Sequence, residues 1–127
     1  MSVLVDTSVW VEHFRHRNEV LVDLLRRDVA LMHPMVLLEL ACGTPPAPRA
    51  QTLGDLGLLM ASEQATPDEV MQLVERETLY GRGCGLVDLT LLASTLVTPG
   101  AMLWTLDRRL ADMADDFGVA YRPTAHH

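Results

Sequence analysis

Short unbroken apolar runs alternate along the chain with stretches whose apolar residues recur every three to four positions. Ser2-Val3-Leu4-Val5, Val29 to Met32, Ala101 to Trp104 and Val119 to Tyr121 are runs of the first kind. A strand buried on both faces of a parallel sheet has this pattern, whereas a half-exposed strand alternates. The helical period predicts Ser8 to Arg17, Glu19 to Arg27 behind an Asn18 cap, Pro34 to Cys42, and Leu86 to Val97. Arg49 to Leu59 also reads as helix, interrupted by Gly54 and Gly57. Thr66-Pro67-Asp68-Glu69 combines a cap, a first-turn proline and a capping-box glutamate, and opens a helix to about Tyr80. Leu106 to Asp116 is the last helix. Strands separated by helices in this order predict an α/β three-layer sandwich, a central parallel sheet of about four or five strands with helices on both faces.

Single carboxylates interrupt the apolar pattern. Asp6 ends the first run, and Thr7 and Ser8 follow it. Glu39 is the sole formal charge between Val29 and Pro48, in a helix apolar nearly all round and therefore expected to be buried. Asp88 is the sole charge between Gly83 and Leu106. Thr105-Leu106-Asp107 follows the Ala101–Trp104 run as Asp6-Thr7 follows the first. Each acid has a plain reading: Asp6, Asp107 or a neighbouring hydroxyl caps a helix, and Asp88 sits at a helix N-terminus. Yet a buried carboxylate needs a partner, and no basic residue lies in these segments. Strands of one parallel sheet end on one rim, where ligands of open α/β sheets bind. Glu39 and Asp88, each expected near the start of a helix that begins on that rim, can join Asp6 and Asp107 there.

Composition narrows the chemistry. At 127 residues with 49% hydrophobic and 5% aromatic residues, the chain is expected to form a single domain, 1–127, with an aliphatic core. A formal charge of -7 argues against nonspecific, electrostatic nucleic-acid binding, though not against a nucleic-acid enzyme whose acids surround metal ions. All 10 basic residues are arginine. Cys42 and Cys84 lack CxxC spacing and read as buried structural thiols of a reducing compartment. Without a basic leader or an apolar stretch approaching a membrane span, the expectation is a cytoplasmic protein with no membrane contact.

Four acids with no His or Cys companion form a hard, all-oxygen donor set, suited to Mg²⁺ or Mn²⁺ rather than zinc. Such sites serve in-line displacement at phosphorus, which points to metal-dependent phosphodiester hydrolysis. Arg82, Arg108 and Arg109, close in sequence to Asp88 and Asp107, are candidates for contact with a nucleic-acid phosphate or for surface ion pairs. His33 reads as a structural histidine before Pro34. Asp112 reads as solvated helix face more than site, and His126-His127 is assigned no role.

Val5-Asp6-Thr7-Ser8, the lone Glu39, Asp88 opening a helix, and Leu103-Trp104-Thr105-Leu106-Asp107-Arg108-Arg109-Leu110 together resemble the PIN-domain ribonucleases, and more closely the VapC-type toxins of toxin–antitoxin pairs. His33-Pro34, Gly81-Arg82-Gly83-Cys84-Gly85-Leu86-Val87-Asp88 and Gly118-Val119 fit as well, so the similarity spans essentially the whole chain. The resemblance implies a PIN-like sandwich and an Mg²⁺- or Mn²⁺-dependent endoribonuclease that stops translation by cutting tRNA or rRNA. It also implies a homodimer and inhibition by a VapB-type antitoxin. By position, Asp6, Glu39, Asp88 and Asp107 take the catalytic, metal-holding roles, and Thr7, Ser8 and Thr105 are supporting hydroxyls.

The rivals are a housekeeping PIN nuclease and a degenerate PIN-like module that binds protein, the latter opposed by intact acids at all four positions. A receiver-type signalling domain would need a late lysine and a second early acid, and a haloacid-dehalogenase-like phosphatase would need Asp-x-Asp. The chain has none of these.

Overall fold

The computed structural model describes residues 1–123, so His126 and His127 lie outside the described residues. Strand β1 (Ser2–Val5) is followed by helices α1 (Thr7–Arg15) and α2 (Glu19–Arg26), then by the short strand β2 (Ala30–Leu31) and α3 (Pro34–Cys42). Helices α4 (Arg49–Leu56), α5 (Pro67–Glu77) and α6 (Leu86–Val97) precede β3 (Ala101–Trp104) and α7 (Arg108–Asp116). The sheet is parallel with order β2-β1-β3. Val3, Leu4 and Val5 are fully buried, as an unbroken apolar run at the centre of a covered sheet requires.

The sheet has three strands, not four or five. Each edge carries a single parallel bridge instead of a further strand: Met32 with Ala61, and Leu103 with Ala120. At the β3 edge, Leu103 donates to Val119 O and Tyr121 donates to Leu103 O, and Pro123, with no N–H, then cannot extend the ladder. At the other edge Ser62 donates to Met32 O, but the next amide, Glu63, donates to the Thr98 hydroxyl and leaves the sheet.

The helix starts follow their caps. Asn18 Oδ1 accepts from Leu21 N–H, and Thr66 and Glu69 form the reciprocal capping box. The helix ends are shorter than the periodicity suggests. Gly57 stops α4, and Thr78 stops α5 in the left-handed conformation at φ 53°.

The two most apolar helices behave differently. In α6, Leu89 through Thr95 are all buried, and the Thr90 and Thr95 hydroxyls donate to carbonyls one turn back. In α3 only Val36 and Leu40 are buried, while Leu38 is 63% exposed and Glu39 and Cys42 are exposed. Helix α3 lies on the surface with one edge against α1, so neither burial of Glu39 nor a buried Cys42 thiol is realised. Cys84 is half-buried. Among the described residues, no helix is long and apolar enough to cross a membrane.

Candidate active site

Parallel strands end on one rim, and the chain leaves β1 at Asp6 and β3 at Thr105 there, joined by the Asp6 N–H bond to Trp104 O at 2.9 Å. Asp6 is 6% exposed and occupies the cap position of α1. Its backbone carbonyl takes the first helical N–H groups, from Val9 and Trp10, but its side chain makes no cap bond. Oδ2 instead accepts from Ser8 Oγ at 2.7 Å and from Thr105 Oγ1 at 2.8 Å. Each of these hydroxyls also accepts a backbone N–H from the turn after β3. Leu106 donates to Ser8 Oγ and Asp107 donates to Thr105 Oγ1, both at 3.0 Å. A hydroxyl has one hydrogen to give, so the backbone donors leave that hydrogen for Asp6. Both bonds fall on Oδ2, and among the described residues Oδ1 accepts none.

The other three acids are held by different means. Asp107 caps α7, with Oδ1 accepting from Leu110 N–H at 3.0 Å. Asp88 is the third residue of α6, and its Oδ2 accepts from Gly85 N–H at 3.3 Å. Gly85 has no side chain to return the bond, so this is half a capping box. Glu39 lies in the second half of α3 rather than at its start. It reaches the rim because α3 packs against α1, where Thr7, the first residue of α1, donates its hydroxyl hydrogen to Glu39 Oε1 at 2.6 Å.

Electrostatics link the four. Burial pushes the Asp88 carboxyl above its ordinary range, and the negative charges of Asp6, Asp107 and Glu39 push it further, against the opposing Gly85 N–H bond. The Cys84 thiol is pushed up by burial and then by Asp88 and Asp107, with Arg82 and Arg109 opposing. Among the described residues none of the four acids makes an ion pair. Nor do any three His, Cys, Asp or Glu side chains stand close enough to hold a metal ion as they are. The four acids therefore share a field without closing into a chelate. Their chemistry fits a hard divalent cation: oxygen donors alone, negative charge from three acids converging on Asp88, and no ion pair to any of the four among the described residues.

The arginines divide. Arg82 pairs with Asp116 at 3.1 Å, and Arg109 lies over Gly83, donating to its carbonyl at 3.5 Å. Arg108 is exposed and makes no ion pair among the described residues. Asp112 is bound by Arg122 at 3.3 Å and lies outside the coupled set. His33 is structural: it is 2% exposed, and Nδ1 accepts from Met35 N–H at 3.0 Å as the cap of α3. That bond assigns the neutral ring's proton to Nε2, which donates to Ser94 Oγ at 3.1 Å.

Two features had no sequence signal: the bond from Thr7 to Glu39, across 32 positions, and a groove of about 460 Å³ that shares Glu39 with the rim.

The comparisons agree with this architecture. The PIN domain family pattern matches residues 3–116. Ribonuclease VapC32 from two strains of Mycobacterium tuberculosis is 47% identical over 118 residues, which cover 93% of this chain and 94% of the relative. The crystal structure of PAE2754 from Pyrobaculum aerophilum superposes with a TM-score of 0.57 at 20% identity, covering 88% of this chain and 78% of that one, a likeness of fold. By the family pattern and by its identity to these ribonucleases, the chain belongs to the PIN-domain family, among the VapC-type ribonucleases.

Proposed function

We propose that this ribonuclease is a metal-dependent endoribonuclease toxin that cuts tRNA or rRNA to halt translation. A VapB-type antitoxin restrains it, and it works as a homodimer. The observation that carries the reading is that Asp6, Asp107 and Glu39 all bear on the Asp88 carboxyl, while among the described residues none of the four acids makes an ion pair. Such a rim repels itself and the phosphate it must receive unless positive charge is added.

Asp6, Glu39, Asp88 and Asp107 would hold Mg²⁺ or Mn²⁺, which supplies charge stabilisation to the displacement at phosphorus. The protein's own part is positioning. Ser8 and Thr105 fix Asp6 through Oδ2 and leave Oδ1 for the site. Thr7 ties Glu39 to the start of α1, so one helix turn orients two of the acids. Asp88 sits in the first turn of α6 and Asp107 caps α7, and the N-terminal dipoles of these helices favour their charge and that of an incoming phosphate. Arg108, and Arg82 or Arg109 on release from their present contacts, take flanking phosphates.

The test is cleavage of RNA by the purified protein with and without chelator, beside Asp6→Asn. Metal-dependent cleavage that Asp6→Asn abolishes is expected. Activity that survives chelation or the substitution would overturn the mechanism. Growth arrest on expression, relieved by the antitoxin, separates a toxin from a housekeeping nuclease. Arrest by Glu39→Gln as well would overturn the site assignment alone.

A further inference from the structure

The groove beside Glu39 is not needed to hold any acid of the rim. It lies between α1 and the turn after α3, with Phe14 and Arg15 on α1 facing Thr44, Pro45 and Pro46, and Glu39 common to groove and rim. We propose that it receives the nucleotide next to the scissile phosphate: Phe14 and the proline wall take the base, and Arg15 takes the phosphate. This rests on the ribonuclease reading above.

Continuity is the first argument. A strand whose phosphate lies at the rim must carry its neighbour into adjoining space, and Glu39 borders both. Size is the second, since about 460 Å³ falls in the range of small-ligand sites. The lining is the third. Phe14 lines the groove, is half-buried and is braced by Trp10, its ring 6.2 Å away at 38°; aromatic side chains of this kind are what bases stack on. Arg15 is exposed and makes no ion pair among the described residues, which leaves its charge free for a phosphate in a chain of net charge -7. An aromatic, a guanidinium and a hydroxyl in one pocket suit a single-stranded nucleotide. A peptide helix would instead want an unbroken apolar stripe.

Full-length Phe14→Leu and Arg15→Gln are compared with the unaltered protein on a randomised single-stranded RNA pool, mapping cut ends and measuring KM and kcat. Binding of the same pool is measured in each variant combined with Asp6→Asn. Phe14→Leu should flatten base preference at the position beside the cut and weaken binding on the order of tenfold. Arg15→Gln should raise KM more than it lowers kcat and reduce the salt slope of binding by about one. Unchanged cut patterns and affinities in an active enzyme would overturn the groove and leave the ribonuclease reading standing. No cleavage, with binding that still depends on Arg15, would overturn the ribonuclease reading and keep the groove, and no dependence in either assay would overturn both. Loss of antitoxin inhibition, with RNA binding and cutting intact, would assign the groove to protein and overturn the proposal.

Discussion

Thr105, just beyond β3, donates its hydroxyl hydrogen to Asp6 Oδ2, just beyond β1, across 2.8 Å, while accepting Asp107 N–H at 3.0 Å. One buried hydroxyl thus links two acids on neighbouring strand ends. Thr105→Val keeps the shape and removes both bonds. Activity at saturating RNA should fall about 10- to 100-fold, with weaker metal affinity, while the protein stays folded. Isothermal titration with Mn²⁺ and single-turnover cleavage check this; an unaltered metal affinity would leave Thr105 a structural residue only.

Asp88 carries a stability conflict. Its charge is disfavoured by burial and by three neighbouring acids, so at neutral pH the ionised Asp88 opposes folding. Asp88→Asn removes the charge, and its amide oxygen can still accept from Gly85. Because the group is partly exposed, solvent screening limits the gain to roughly 0.5 kcal/mol. The metal-free variant should melt about 2 °C higher, yet be inactive and gain less than the unaltered protein when Mg²⁺ is added. Thermal melts with and without the ion decide it. A metal-free melting point below that of the unaltered protein would count against the conflict.

RNA binding should need the ion as well. A carboxylate rim in a chain of net charge -7 repels phosphate, so cleavage-dead Asp6→Asn should bind RNA on the order of tenfold more tightly with Mg²⁺ or Mn²⁺ than with chelator. Filter binding at fixed ionic strength separates this from general screening. Equal affinity in both conditions would show that the rim does not meet the phosphate.

The histidines set an acid limit. Burial lowers the His33 pKa, and burial with Arg17 lowers that of His13. As pH falls through about 6.5 the unfolded chain takes up these protons first, so the folded state loses stability. Stability is complete above that value and declines below it until the folded-state pKa values are passed. Protonated His33 would also turn an Nδ1–H toward Met35 N–H and forfeit the cap of α3. His33→Asn keeps a capping side chain and should flatten part of the loss in melting temperature between pH 7.5 and 5, His13 retaining the rest. A pH profile that His33→Asn does not alter would remove His33 from this account.

What the sequence disclosed and what it hid follow from range. Apolar spacing located β1, β3 and every helix, because period and caps are local signals. Asp6 and Asp107 look alike in sequence, each an acid beside a threonine after an apolar run, yet Asp107 caps its helix through its side chain and Asp6 does not. The difference lies in Ser8 and Thr105, which meet Asp6 from opposite ends of the chain. Helix α3 misled because its composition cannot say whether neighbours cover it, and Leu38 and Cys42 are left exposed. The sheet edges were overcounted since Val119 to Tyr121 has the apolar content of a strand but is stopped by Pro123 after one bridge. Ala61, lacking any β-pattern, forms the matching bridge unannounced.

Two glycines in the loop before Asp88, Gly81 and Gly83, have a left-handed backbone, and at Gly83 the backbone matters more than the space. Gly83 has φ +86°, and a Cβ there would meet the Arg109 guanidinium at 2.6 Å. The Arg109 end is flexible and exposed, so it can swing aside; the left-handed backbone cannot. Gly83→Ala should destabilise the protein by about 1–2 kcal/mol, and Gly83→Ala with Arg109→Ala should not recover it. Because Asp88 follows five residues on and is held by Gly85 N–H, cleavage should fall with the strained loop even where the protein remains folded. Urea unfolding of the single and double variants measures the difference. Recovery in the double variant would mean that the steric contact, not the backbone, sets the requirement for glycine.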